Sequence, residues 1–343
     1  RPPLWKSFAP FDAVALSFLS ALLAINLLSR HAIPGWPLLT MEYGLLIILI
    51  PSLIHMAQTR AQRGWKLARN FYLIPLTMLS FDSLGEMVPY VNPHSYDADL
   101  ATWDAAVFGV HPTIWLQRIV TPWLTEIMQI AYASYYFLPI ILMVRLSQTH
   151  RKQQAVFVEA ATTLGLTFFL SYVGYFLLPV SGPRHYLAPL YTVPLTGVLL
   201  AGPIANTINA LENIKWDCFP SGHTAVVLVV LSYVWRHARP LLRYYLPVSV
   251  LLILATVYCR YHYVLDVLAG AALAGLCLWL GPRLCRAWTR LVAIRCLSSP
   301  SRRPSSRSPA AWPPGRNDPI GFLAPVQNGE AVFLSHDDHR STS

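Results

Sequence analysis

Apolar residues in this chain gather into long runs separated by short polar stretches. A helix needs about 20 predominantly apolar residues to cross the hydrocarbon of a bilayer. Eight runs qualify: Phe11–Ser29, Leu38–Ala57, Ala68–Val88, Ile119–Leu146, Ala155–Leu178, His223–Arg236, Tyr244–Tyr263 and Val264–Leu280. The third carries Asp82 and Glu86, which are costly in lipid. The sixth is short, and almost nothing separates the last two. The pattern predicts an all-α, polytopic membrane bundle of about eight spans. Residues 93–118 are too polar to span but carry Trp103, Phe108, Trp115 and Leu116. That mix suits an interfacial helix lying over a site, or equally a loop anchored by its aromatics. From about Leu297 to Ser343 Ser, Pro and Arg dominate, the composition of a disordered tail.

Composition agrees with the pattern. Of 343 residues, 55% are apolar and only 12% charged, against about 25% charged in a soluble domain. This excludes a disordered chain, a nucleic-acid module and an ordinary soluble enzyme. The net charge of +10 is a matter of placement. With the N-terminus in the cytoplasm and sides alternating, 21 of the 26 Lys and Arg residues fall inside. Among them are Arg60, Arg63, Lys66, Arg145, Arg236, Arg239, Arg243 and the tail arginines. Only Arg30, Arg118, Arg184, Lys215 and Arg260 fall outside. A positive-inside bias of this size orients the bundle, and the charge serves topology and anionic lipid rather than nucleic acid. The chain starts at Arg1 without a Met, which points to a longer natural chain, and its first apolar run is too long for a cleaved signal peptide. Cys218 and Cys259 both fall at outer span ends, as a disulfide pair or as two small buried residues.

Two motifs carry chemistry. Cys218-Phe219-Pro220-Ser221-Gly222-His223-Thr224 enters the sixth span, and Arg260-Tyr261-His262-Tyr263-Val264-Leu265-Asp266 enters the eighth. The charge-derived topology puts both at the outer face. His262 and Asp266 are four apart, so on a helix they share a face. A carboxylate there fixes the tautomer of His262 and leaves its other nitrogen as nucleophile or base. Ser221 and Gly222 open a helix, where free N–H groups bind anions and glycine allows close approach. His223 then lies beside the anion, placed as a general acid. Two histidines flanking an anion site suit phosphoryl transfer through a phosphohistidine. Either motif alone is a weak signal; the pair on one side is specific.

The Ser-Gly-His motif followed by His-x-x-x-Asp resembles the type 2 phosphatidic acid phosphatase (PAP2) superfamily. The words PSGHTA and RYHYVLDVLAG resemble its inositol phosphorylceramide synthase-like branch, with its bacterial relatives, over at least Phe176–Gly275. The segments Leu100–Pro112 and Tyr132–Pro139 are similar to bacterial relatives more softly. The resemblance implies a six-helix core, His262 as nucleophile, Asp266 as its orienting partner and His223 as acid/base. It implies phosphate binding by Ser221 and Gly222, a lipid substrate and no cofactor. It also divides the chain into N-terminal transmembrane helices (1–92), the interfacial segment (93–118), a catalytic transmembrane core (119–282) and the cytoplasmic tail (297–343).

The departures bear on the reaction. No Lys-x6-Arg-Pro motif is present, and Thr256 stands where lipid phosphatases of the superfamily place an arginine. The arginine is at 260 instead, as in the synthase-like branch. Arg184, in Ser181-Gly182-Pro183-Arg184-His185, is the leading candidate for clamping phosphate, since a guanidinium matches phosphate oxygens. Arg260 is a second. Lys215 and Asp217 fit a loop salt bridge. Asp82, Glu86 and Asp104 are candidates for hydroxyl recognition or for internal hydrogen bonding, and Glu42, Glu126 and Glu159 for structural roles. No metal-ligand cluster is evident in the sequence. The expected activity is phosphotransfer between lipid headgroups at the outer face of a plasma or inner membrane. Lipid phosphate hydrolysis is the alternative, and a transporter the alternative of another class.

Overall fold

The structure is a computed structural model, and it describes residues 3–148, 151–211 and 214–298. The expected tail over 297–343 lies almost wholly outside the described residues. Among these residues there are helices and turns and no strand. In chain order they are α1 (Pro10–Leu28), α2 (Trp36–Thr59), α3 (Arg63–Phe71), α4 (Leu73–Val91), α5 (Asp97–Phe108), α6 (Pro112–Trp115), α7 (Pro122–Ala133) and α8 (Leu138–Ser147). Then come α9 (Arg151–Leu177), α10 (Pro183–Tyr186), α11 (Ala201–Leu211), α12 (Gly222–His237), α13 (Leu242–Tyr258) and α14 (Val264–Ser298).

Five helices are long and apolar enough to cross a membrane alone: Pro10–Leu28, Trp36–Thr59, Gln154–Leu177, Arg239–Tyr258 and Val264–Ile294. A sixth crossing is available if Pro122–Tyr136 and Leu138–Ser147, bent by 40° at their junction, act as one. The sequence pattern suggested eight. The difference lies in α4, which carries Asp82 and Glu86, and in α12, which has only 16 residues. Both pack inside the bundle all the same. The last span also runs well past its expected end near Leu280, as a helix reaching Ser298.

Helix α9 is the axis of the molecule. On one side α8, α12, α13 and α14 build a core with it around Leu142, Phe157, Val226, Tyr233, Leu252 and Cys277. On the other side α1, α2 and α4 build a second core around Leu19, Tyr43, Ile54, Leu84, Met87 and Phe169. Methyl-rich faces of this kind associate in lipid through close packing rather than hydrophobic burial, and small residues set how near they come. Gly270 on α14 is such a point: a Cβ there would drive into the Ser221 carbonyl oxygen at the start of α12. The two motif-bearing helix starts therefore touch backbone to backbone.

Candidate active site

The ends of α9 and α13 and the starts of α12 and α14 meet at one end of the bundle. Ser221 is the N-cap of α12, its hydroxyl accepting from the Thr224 N–H at 3.3 Å, an arrangement that satisfies one of the free donors of a helix start. Its own N–H donates to the Asp266 carbonyl at 3.1 Å. The Thr256 carbonyl accepts from the N–H groups of Tyr261 (2.9 Å) and His262 (3.0 Å), which turns the chain off α13 and aims His262 inward. Arg260 inside that turn has a φ of 66°, a left-handed conformation that costs a residue with a side chain roughly 1–2 kcal/mol.

The three residues of the predicted constellation come together. His262 Nε2 is 3.4 Å from His223 Nδ1. On its far side His262 Nδ1 is 3.6 Å from Asp266 Oδ2, both side chains being buried. The same Asp266 oxygen accepts from the Tyr263 N–H at 2.9 Å and from the Cys218 thiol at 2.7 Å. Its other oxygen, Oδ1, is buried with no partner among the described residues. His223 is fixed by aromatic contacts, with Tyr132 stacked at 4.5 Å and Tyr135 tilted at 4.1 Å between centroids. Tyr132 stacks on Tyr261 as well, at 4.2 Å.

A small pocket of about 10 Å³ lies between these groups, lined by His223, His262, Arg184, Asp217, Ser181 and Tyr132 among others. That is room for about one water, so a phosphoryl group enters only as side chains move. Arg184 lines the pocket. Its Nη1 donates to Asn209 Oδ1 at 2.7 Å, and its Nε to His185 Nε2 at 3.1 Å. His185 can accept because burial, then the charges of Arg184 and Lys215, hold it below the usual imidazole range.

Arg260 does not join this pocket. It crosses Tyr191, its guanidinium carbon 3.9 Å from the ring centroid, and donates to the Val193 carbonyl. It lines a second, larger cavity that adjoins the first. Sequence spacing cannot reveal this, because the left-handed turn at Arg260 sends its side chain away from that of His262. Trp103 and Phe108 line neither cavity and are exposed. Their helix, α5, braces the site from outside instead. Cys218 and Cys259 are both free and buried, in different clusters, which decides against the disulfide. Glu126 accepts from the N–H groups of Val198, Leu199, Leu200 and Ala201, and Glu159 from the Tyr233 hydroxyl, as structural roles require.

The sequence reading missed several contributors. Asp97 on α5 accepts from the N–H and hydroxyl of Ser181 (2.8 and 2.9 Å), from the Gly182 N–H (2.9 Å) and from the Tyr263 hydroxyl (3.3 Å). Gly182 has a φ of 87°, and a Cβ there would meet the Tyr261 carbonyl oxygen at 2.8 Å, so only glycine fits. Asp104, one of the weighed carboxylates, accepts from the first N–H groups of α14, Val264 at 3.1 Å and Leu265 at 3.0 Å. It caps a helix from another segment of the chain, and its burial raises its pKa. Asp217 faces the pocket. Asp97 and Asp104 share no local motif with what they hold; the tight spacing of three carboxylates over Asp97–Asp104 was the available signal.

Cys218, His262 and Asp266 present donor atoms within 4.8 Å of one another, a set able to hold a metal ion that the sequence did not suggest. As they stand they form a hydrogen-bonded group. Burial, and after it the Asp266 carboxylate, pushes the Cys218 thiol well above its usual range. A metal would have to displace that proton.

Residues 98–280, more than half of the chain, match the PAP2 superfamily. The chain belongs to that superfamily. It is 28% identical over 176 residues to a PA-phosphatase related-family protein of Dictyostelium discoideum, covering 46% of this chain and 32% of that relative. The chain thus spans about a third of the length of the curated relative it matches. No solved structure matches it. Family and relative together support an enzyme of the phosphatase or phosphotransferase type, and the five long apolar helices fit an integral membrane protein.

Proposed function

We propose that the chain transfers the phosphoryl headgroup of a membrane lipid through a phosphohistidine at His262. The observation that carries this is the facing pair of imidazoles: His262 Nε2 and His223 Nδ1 stand 3.4 Å apart on one pocket, with Asp266 behind the far nitrogen of His262. Nε2 attacks phosphorus, the phosphorus–oxygen bond to the leaving group breaks, and the proton of His223 goes to the leaving oxygen. In the second half an acceptor hydroxyl gives its proton to His223 and attacks, and the phosphorus–nitrogen bond breaks. Ser221, Gly222 and Arg184 hold the phosphoryl oxygens, and Asp266 stabilises the imidazolium of His262. No cofactor enters either step.

The reading is an inositol phosphorylceramide synthase-like transferase, favoured by Thr256 and by the missing Lys-x6-Arg-Pro motif. Hydrolysis of phosphatidic acid is the second reading, favoured by the name of the Dictyostelium relative. We read α4, the bent α7–α8 pair and α12 as crossing along with the five long spans. That gives eight crossings, a six-helix core from α4 to α14, and a site on the extracytoplasmic face.

Purified chain with a radiolabelled lipid phosphate tests both halves. His262→Ala abolishes turnover and covalent label, and His223→Ala slows turnover by about 10²–10⁴-fold, rescued in part by a nitrophenyl leaving group. An added alcohol takes the label from a lipid phosphate as a phosphomonoester, and from a phosphodiester donor lipid as a phosphodiester. Near-normal turnover in His262→Ala overturns the nucleophile; rapid phosphate release from phosphatidic acid, unaffected by any alcohol, decides for the hydrolase.

A further inference from the structure

Beside the phosphoryl pocket lies a cavity of about 220 Å³, bounded by Gln129 on α7, Asn209 on α11, Tyr191, and the Arg260-Tyr261 turn. It shares Arg184 and Tyr261 with the first pocket, so the two spaces are neighbours along one path. It is many times larger than the roughly 10–15 Å³ that one water needs. Two guanidinium groups border it, Arg184 and Arg260, and no carboxylate does among the described residues. Each lies against an aromatic face, Arg184 at 4.9 Å from the Tyr261 centroid and Arg260 at 3.9 Å from that of Tyr191. Two well-packed cations, with no carboxylate among the described residues on the cavity wall, make the space attractive to an anion.

Two further observations point to a ligand. Gln129 is only 4% exposed, and its side-chain oxygen has no hydrogen-bond partner among the described residues. Leaving a buried amide oxygen unpaired is destabilising, and an anion offers no proton to relieve it. A hydroxyl does, whichever way the amide is turned. Arg260 reaches the cavity from its left-handed turn, and strain held in this way marks functional positions.

We infer that this cavity is a headgroup subsite for a polyhydroxylated group bearing its own oxyanion, carboxylate or phosphate, adjacent to the phosphorus attacked by His262. Arg260 takes the oxyanion, Gln129 takes a hydroxyl, and Arg184 sits between the two anions. This deepens the proposed phosphotransfer by naming its substrate class, and it rests on that reading for the adjacent phosphorus.

Equilibrium binding to the full chain in lipid nanodiscs tests it, in a His262→Ala background so that nothing turns over. The probes are glucuronate, glycerol 3-phosphate, glucose and inorganic phosphate. Glucuronate and glycerol 3-phosphate should each bind at least about tenfold more tightly than glucose. Arg260→Asn, which tolerates the left-handed backbone, should weaken both by at least about tenfold and leave glucose unchanged. Gln129→Leu should weaken both while leaving inorganic phosphate unchanged. Should Arg260→Asn not fold, Gln129→Leu decides. Glucose binding as well as glucuronate, or unchanged affinities in the variants, overturns the subsite. Inorganic phosphate binding as tightly as the polyols, and lost in Arg260→Asn, reduces it to a plain anion site and overturns the polyol. Lipid-phosphate turnover by the unaltered chain is measured separately; its absence overturns the phosphotransfer reading, while the binding results bear on the cavity alone.

Discussion

The Cys218 thiol and the Tyr263 N–H both end on the Asp266 oxygen nearest His262. Each donor spreads the carboxylate charge that would otherwise fall on the imidazole, so in the proposed reaction Cys218 positions rather than reacts. Removing a hydrogen-bond partner from behind a metal-bound histidine costs about 10–100-fold, and a loss at the lower end of that order is expected behind His262 in the proposed reaction. Cys218→Ala is therefore expected to lower kcat by roughly tenfold with KM unchanged, and to move the pH profile of turnover, because the carboxylate behind His262 loses a hydrogen-bond donor. Cys218→Ser retains a donor and should recover most of the rate. Equal losses in the two variants, with no change in the profile, would leave Cys218 a packing residue only. The histidine pair and Asp266 were legible in the sequence because local rules placed them, an i,i+4 pair and a helix start. Cys218 and Asp97 were not, since their partners lie 48 and 84 residues away. That Arg260 faces the adjoining cavity was hidden for a third reason, a single backbone angle that no neighbouring residue announces.

At the level of helices, the site depends on how closely α12 and α14 approach. Gly270 permits the contact with the Ser221 carbonyl, whereas Gly275, farther along α14, has open space where its Cβ would stand. The two glycines make a matched pair. Gly270→Ala must part the helices at the proposed phosphate-binding turn, at a cost of about 1–3 kcal/mol for overpacking, and should lose activity. Gly275→Ala meets nothing and replaces a weak helix former with the strongest, gaining up to about 1 kcal/mol. Thermal unfolding in detergent together with turnover measures both; a Gly270→Ala protein as active and as stable as its parent would contradict the packing. Hydropathy found the helices here but could not count the crossings. Length and polarity in α4 and α12 are compromised by what those helices carry: two carboxylates in one, an early stop at Ala238 in the other.

For the molecule as a whole, the basic residues Arg236, Arg239 and Arg243 lie at the end of α12 and start of α13, remote along both helices from the histidines. The proposed extracytoplasmic placement of the site rests on the positive-inside rule applied to these residues. Cysteines introduced at exposed Leu190 and exposed His237 report on the two ends. An impermeant thiol reagent on intact cells should label the first, and the second only after permeabilisation; the opposite pattern reverses the orientation. Meanwhile α5 touches no reacting group, yet Asp97 grips the Ser181-Gly182 turn and Asp104 the start of α14. The two carboxylates are seven residues apart, two turns or about 10 Å along the axis. Helix α5 is thus a ruler laid across the mouth of the site. The gap between the turn that bears Arg184 and the helix that bears Asp266 is gauged by helical pitch, a length that does not stretch, so the long spans can tilt with bilayer thickness while the width of the mouth stays fixed.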